Sequence, residues 1–96
     1  MFIAIRKYSG CQDAQEVNRR VLRDLLPAMK GMRGFRSYTV VDMGGGIVAS
    51  ISTFDSRGDA ESATIAVRGL VRKTLSDLVP NPPEVTIGQV LSDTRI

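Results

Sequence analysis

The chain has no histidine, no tryptophan and one cysteine, Cys11. Histidine is the usual general base, the usual activator of a thiol and the commonest metal ligand, so its absence narrows the chemistry. With a single cysteine no intrachain disulfide forms, and zinc, haem or other transition-metal sites lose their ordinary ligands. Cys11 itself reads as an incidental residue at a strand-to-helix junction, because nothing nearby in the sequence makes it a thiolate. Aromatic residues are 5% of the chain, too few to supply the stacked platforms of a single-strand nucleic-acid binder. No apolar run approaches the roughly 18 to 20 residues that span a bilayer. We therefore expect no cofactor, no metal, no nucleic acid and no membrane.

Charge is modest as well, at a net +3. Arg19, Arg20 and Arg23 form one basic cluster, and Arg68, Arg72 and Lys73 another, with Glu16, Asp24, Glu61 and Asp77 diluting both. Solvated helix faces explain these clusters, and an anionic ligand or acidic partner is the alternative. What remains is an ordinary globular composition, 43% hydrophobic and 24% charged, in 96 residues that read as a single domain, 1–96. The segment from Met1 to Tyr8 lacks the basic start, longer apolar stretch and small-residue cleavage site of a signal peptide. It reads as a strand, and the expected compartment is the cytoplasm.

The order of elements is the informative part. Phe2 to Tyr8 is rich in β-formers and runs unbroken to Ser9-Gly10. A helix opened by Asp13 or Gln12 continues to about Met32, with Ala14, Val17, Val21, Leu25, Ala28, Met29 and Met32 on one face and Leu22 at its edge. Pro27 lies inside that pattern and should kink it. Phe35 to Asp42 and Ile47 to Phe54 form two strands joined by Gly44-Gly45-Gly46, glycines that tolerate the positive φ of a tight hairpin. The triplet lacks the Gly-Lys-Ser/Thr spacing of a phosphate loop and precedes no helix. Ser56 caps a second helix, expected to run to about Leu78 with Ala60, Ala63, Val67, Leu70, Val71, Leu75 and Leu78 inward. Pro80, Pro82 and Pro83 stop it, and Glu84 to Leu91 is the last strand. The sum is βαββαβ, the α+β ferredoxin-like order: a four-stranded antiparallel sheet with two helices on one face.

The strands are apolar on both sides. Ile47, Ala49, Ile51 and Thr53 alternate with Val48, Ser50, Ser52 and Phe54, and Val85, Ile87 and Leu91 oppose Thr86, Gly88 and Val90. An antiparallel sheet with one wet face alternates more cleanly. A second copy of the chain is the economical cover for the face that the helices leave open, so a homodimer is expected.

The segment Leu26-Pro27-Ala28-Met29-Lys30-Gly31-Met32-Arg33-Gly34-Phe35 resembles the join between first helix and second strand in antibiotic-biosynthesis monooxygenase-like (ABM-like) domains. Val48 to Asp55, a third strand running straight into the second helix, adds to the resemblance, which covers nearly the whole chain through element order and length. The resemblance implies a dimeric α+β barrel with a ligand cavity between sheet and helices in each subunit. It also implies cofactor-free oxygenation of electron-rich aromatic polyketides or quinols. The haem-degrading branch of that family uses an asparagine, a tryptophan and a histidine; the last two are absent here, which excludes it. The same absence weakens the polyketide branch, whose cavities often place tryptophan or histidine near the substrate.

Six residues are candidates for the cavity. Asn18 falls within the apolar stripe of the first helix, where a buried amide needs partners, from ligand or from backbone and water. Thr74 holds a similar place in the second helix, though its hydroxyl can bond back to the carbonyl four residues earlier. Tyr8 and Tyr38 are the only phenols and could orient a substrate or donate a proton, or simply pack. Arg6, on the strand face of Tyr8, and Arg68, at the edge of the second stripe, could hold an anionic group or form interface ion pairs. Ser50 and Ser52 share a strand face but have no base to make either a nucleophile. The element order is shared with RNA-recognition modules. The third strand, however, carries no spaced aromatics before Phe54. Two readings remain: a cofactor-independent monooxygenase acting on a small electron-rich aromatic or quinol, and a non-catalytic homodimer that binds a small molecule or serves in a stress response.

Overall fold

A computed structural model describes residues 1–95 of the chain. Strand β1 is Phe2–Tyr8, β2 Phe35–Gly44, β3 Ile47–Phe54 and β4 Glu84–Gln89. They form one antiparallel sheet in the order β2-β3-β1-β4. This is the ferredoxin-like arrangement, with each helical crossover skipping one strand position. Among the described residues no helix is long and apolar enough to cross a membrane.

The first helical rod has three parts. α1 spans Ala14–Arg20, a π-helical turn covers Val21–Leu25, and α2 spans Leu26–Lys30. Asp13 opens it from the left-handed region at φ 52°, its carboxylate accepting from the Glu16 amide at 3.1 Å. The π turn has a clear cause in Pro27. Proline cannot donate to the Arg23 carbonyl, and its ring would collide with that carbonyl in a regular helix. The widened turn bonds Leu26 to Val21, five residues back, and makes room for the ring.

This widening corrects the helical-wheel expectation. The buried residues are Val17, Val21, Leu25 and Met29, each four apart, so the core stripe is a single narrow line. Residues one step off that line move outward: Leu22 is exposed, Asn18 only half-buried, and Ala28 exposed. The rod also ends at Lys30 rather than Met32, with Gly31 at its cap.

The helix α3, Arg57–Thr74, is capped by Ser56 Oγ accepting from the Asp59 amide at 3.1 Å. It buries Ala60, Ala63, Thr64 and Val67 against the sheet. Its regular part stops short of Leu78. Thr74 Oγ1 takes the Leu70 carbonyl at 2.7 Å, competing with the backbone for that acceptor, and Leu75 leaves helical geometry at φ −130°. Leu75 and Val79 nonetheless stay in the core through turns closed by the Leu75 carbonyl. Strand β4 ends at Gln89, so Leu91, expected inside the strand, lies beyond it and is 91% exposed.

Gly34 is the tightest joint. It sits at φ +73°, where a side chain is strained, and a methyl group there would collide with the Asp59 carboxylate in the first turn of α3. Next to it, Phe35 meets the fully buried Phe54 edge to face, with ring centres 5.8 Å apart.

Candidate functional site

The helix-covered face of the sheet carries Ala4, Arg6 and Tyr8 from β1, and Val48, Ser50, Ser52 and Phe54 from β3. Register places Arg6 opposite Ser50, Tyr38 opposite Ser52 and Val40 opposite Ser50. The two serines are small, and the volume they leave above the middle of the sheet is taken up by the long side chains flanking them, Arg6 on one side and Tyr38 on the other.

Arg6 is 1% exposed. Its guanidinium donates from Nη1 to Ser52 Oγ at 3.1 Å and from Nη2 to Thr64 Oγ1 at 3.3 Å, while Nε has no partner. Thr64 can accept because its own hydroxyl proton goes to the Ala60 carbonyl at 2.9 Å. Among the described residues no carboxylate reaches Arg6. A buried cation held only by neutral hydroxyls is costly and uncommon. Burial pushes the Arg6 pKa down, and the two tyrosines partly oppose that.

Tyr8 and Tyr38 lie on the same side of the sheet. Burial pushes the Tyr8 phenol up to about 12, with Arg6 pulling the other way. Burial also raises Tyr38, opposed by the Ser50 hydroxyl and by Arg6. Both phenols are therefore neutral hydrogen-bond donors at neutral pH. Ser50 Oγ is buried and makes no hydrogen bond of good geometry, although it lies near enough to the Tyr38 hydroxyl to offset part of its shift.

Tyr8, Tyr38 and Ser50 form the polar part of a small, partly open cavity of about 20 Å³. The rest of its wall is aliphatic, from Val17, Val21 and Leu25 of the first rod, Val40 and Val48 of the sheet, and Val71, Leu75 and Val79. The Cys11 thiol also lines it, pushed up by burial and donating to the Tyr8 carbonyl at 3.7 Å, so it is a thiol and not a thiolate. That space suits about one water. Beside it lies a groove of about 450 Å³ that shares Tyr8, Val71 and Val79 with the cavity. Ligand sites run to roughly 300–1,000 Å³, so the groove is the ligand-sized space and Tyr8 is the wall between the two. Arg68, Arg72, Asn81 and three prolines, Pro80, Pro82 and Pro83, make up much of its rim.

The six sequence candidates thus separate. Tyr8 and Tyr38 line the cavity and Arg68 lines the groove, whereas Arg6 lines neither and is buried between β1 and α3 on Ser52 and Thr64. Asn18, half-buried and off the buried line of the first rod, lines a separate pocket of about 140 Å³ with Ala14, Gln15 and Asp42, which shares Val40 and Val48 with the cavity. Thr74 donates its hydroxyl to the Leu70 carbonyl and lines neither the cavity nor the groove. Sequence reasoning did not single out Thr64, whose polar place in the buried line between Ala60 and Val67 was the available signal. The groove residues Arg72 and Asn81 gave none, because their meeting depends on how the chain turns after Thr74.

No protein-family model matches the chain, and no curated protein matches its sequence. Solved structures do match its fold. The Rv0793 protein of Mycobacterium tuberculosis superposes with a TM-score of 0.67 at 21% identity, over 98% of both chains. A Nitrosomonas europaea protein described as a candidate antibiotic biosynthesis monooxygenase gives 0.71 at 18% identity, over 96% of this chain and 100% of that one. The ActVA-Orf6 monooxygenase of Streptomyces coelicolor, in complex with nanaomycin D, gives 0.72 at 12% identity, over 99% and 91%. The chain has the ABM-like fold.

Proposed function

We propose that this protein is a cofactor-independent monooxygenase that binds a small electron-rich aromatic in the cavity and groove on either side of Tyr8. The observation that carries the reading is the convergence of a buried, carboxylate-free Arg6 with two neutral phenols and an unpartnered serine hydroxyl beside an aliphatic cavity. The fold shared with a monooxygenase in complex with nanaomycin D supports a small-molecule ligand.

The chemistry suits a site without a conventional base. A methylene held between electron-withdrawing and aromatic groups, as in an anthrone, loses a proton to give an enolate. Arg6 and the two phenols stabilise that anion, and the proton leaves to solvent through the groove. The enolate reduces dioxygen; one oxygen atom ends in the new carbonyl and the other in water. The two methylene hydrogens balance that water, so no external reductant enters. The protein contributes orientation, exclusion of water and a fixed positive field where negative charge develops.

The reading includes a homodimer. The sheet face opposite the helices carries Ile3, Ile5, Val41 and Ile51, all at least partly exposed, and a second copy packed sheet to sheet would cover them. A second reading, ligand binding without catalysis, is favoured by the wall of valines and leucines, which holds and does not react. Oxygen uptake by chelator-treated protein with anthrones and hydroquinones separates the two. Saturable uptake above the spontaneous rate supports oxygenation, and substrate binding with no uptake supports a binding protein.

A further inference from the structure

We propose that the groove beside Tyr8 selects ligands that carry a carboxylate, which Arg68 and Arg72 hold at its rim while the aromatic body rests on Val71, Val79 and Tyr8. This rests on the cavity and groove being the ligand site.

The arrangement of charge over the whole molecule carries the argument. Most arginines are matched to acids. Arg19 and Arg20 meet Glu16, Arg20 also meets Asp77 at 2.7 Å, and Arg23 meets Asp24 at 2.8 Å. Arg33 meets Asp59, Arg36 meets Asp55 and Arg95 meets Asp93. Arg57 lies over the Phe2 ring, 5.2 Å from its centre. Among the described residues, the three arginines left without an acid or a ring are Arg6, Arg68 and Arg72. Arg68 and Arg72 line the groove with Tyr8, Arg6 is buried two residues before Tyr8 on β1, and the charges of both Arg6 and Arg68 act on the Tyr8 phenol.

No aspartate or glutamate lines the groove. Asp77, next in sequence to the groove residue Ser76, is bound to Arg20. Arg68 and Arg72 are four apart on α3, one turn, so their guanidinium groups leave the same helix face. Two forks one turn apart suit the two oxygens of one carboxylate. Val71, between them in sequence, and Val79 supply apolar floor, and Tyr8 closes the inner end. Charged rim and apolar floor together describe an aromatic acid.

The test uses two fluorescent probes of one shape, naphthalene-2-carboxylate and its uncharged amide, titrated by fluorescence or calorimetry into the intact protein. The acid is expected to bind about tenfold more tightly than the amide. The double variant Arg68→Gln/Arg72→Gln should bring that ratio to about one and leave amide binding unchanged; both side chains are exposed, so folding is not at risk. Lys73→Gln, on the same helix but outside the groove, should keep the preference. Equal binding of acid and amide by the unaltered protein overturns the proposal. So does a preference that survives the double variant, a preference lost equally in Lys73→Gln, or no saturable binding of either probe. Neither probe is oxidised, so charge selection can stand or fall independently of oxygenation.

Discussion

Arg6 Nη1 donates to Ser52 Oγ at 3.1 Å across the β1–β3 pair, and both side chains are closed off from solvent. That bond, with the one to Thr64, is all that compensates a buried cation. The arrangement is poor for stability, and its value in this account lies in what it does to an anion beside it.

Replacing Arg6 by methionine should therefore separate stability from function. Removing an unpaired buried charge while keeping most of its volume is neutral or stabilising. The urea midpoint of Arg6→Met is expected to stay level or rise, while kcat/KM for oxygen uptake falls at least about tenfold, the equivalent of 1.4 kcal/mol of transition-state stabilisation. A marked drop in the midpoint would make Arg6 a structural residue instead.

Tyr8 makes stability depend on alkaline pH. Its folded pKa of about 12 lies above the ordinary value of 10.0, so between those values the folded chain binds more protons than the unfolded one. Stability is then full below about pH 10 and is lost as pH rises toward 12, by about 2–3 kcal/mol for this one group. Tyr38, also raised by burial, adds to the slope in the same direction. Urea midpoints at successive pH values should show the decline, and Tyr8→Phe should flatten it.

Two glycines should respond differently to alanine. At Gly34, φ is +73° and the added methyl meets the Asp59 carboxylate, whereas at Gly45, φ is +62° and nothing lies within 4 Å. Gly45→Ala should cost about 1–2 kcal/mol, the left-handed backbone penalty alone. Gly34→Ala should cost more, since the Asp59 side chain must also move out of the way, and thermal unfolding of the pair measures the difference.

The open sheet face predicts the assembly. Light scattering should give twice the 10.4 kDa of one chain. Placing a charge amid the apolar face, as in Ile51→Asp, should yield monomer. A stable monomer of the unaltered chain would leave that face without its proposed cover.

The strands were legible because period-two alternation and glycine turns are local signals. Phe2–Tyr8 and Ile47–Phe54 follow from the residues alone, as does the Ser56 cap. The helices were read less well, for reasons outside local pattern. Pro27 signalled a kink, but the π turn it induces shifts the phase of everything around it, and a 3.6-residue wheel therefore put Asn18 inward. The early end of α3 depends on one hydroxyl, Thr74, choosing a backbone acceptor. At the site, Arg6 and Tyr8 could be placed on one face from alternation. That Arg6 lacks an acid among the described residues, when six of the nine other arginines have one, depends on three-dimensional pairing that no linear pattern encodes.

The most direct test supplies isotopically labelled dioxygen to metal-free protein and an anthrone, and follows both the product and the water by mass spectrometry. The account predicts one labelled oxygen atom in the new carbonyl and one in water, at a rate that Arg6→Met lowers and Tyr8→Phe alters. Label entering product no faster than without protein, for substrates shown to bind, would contradict it.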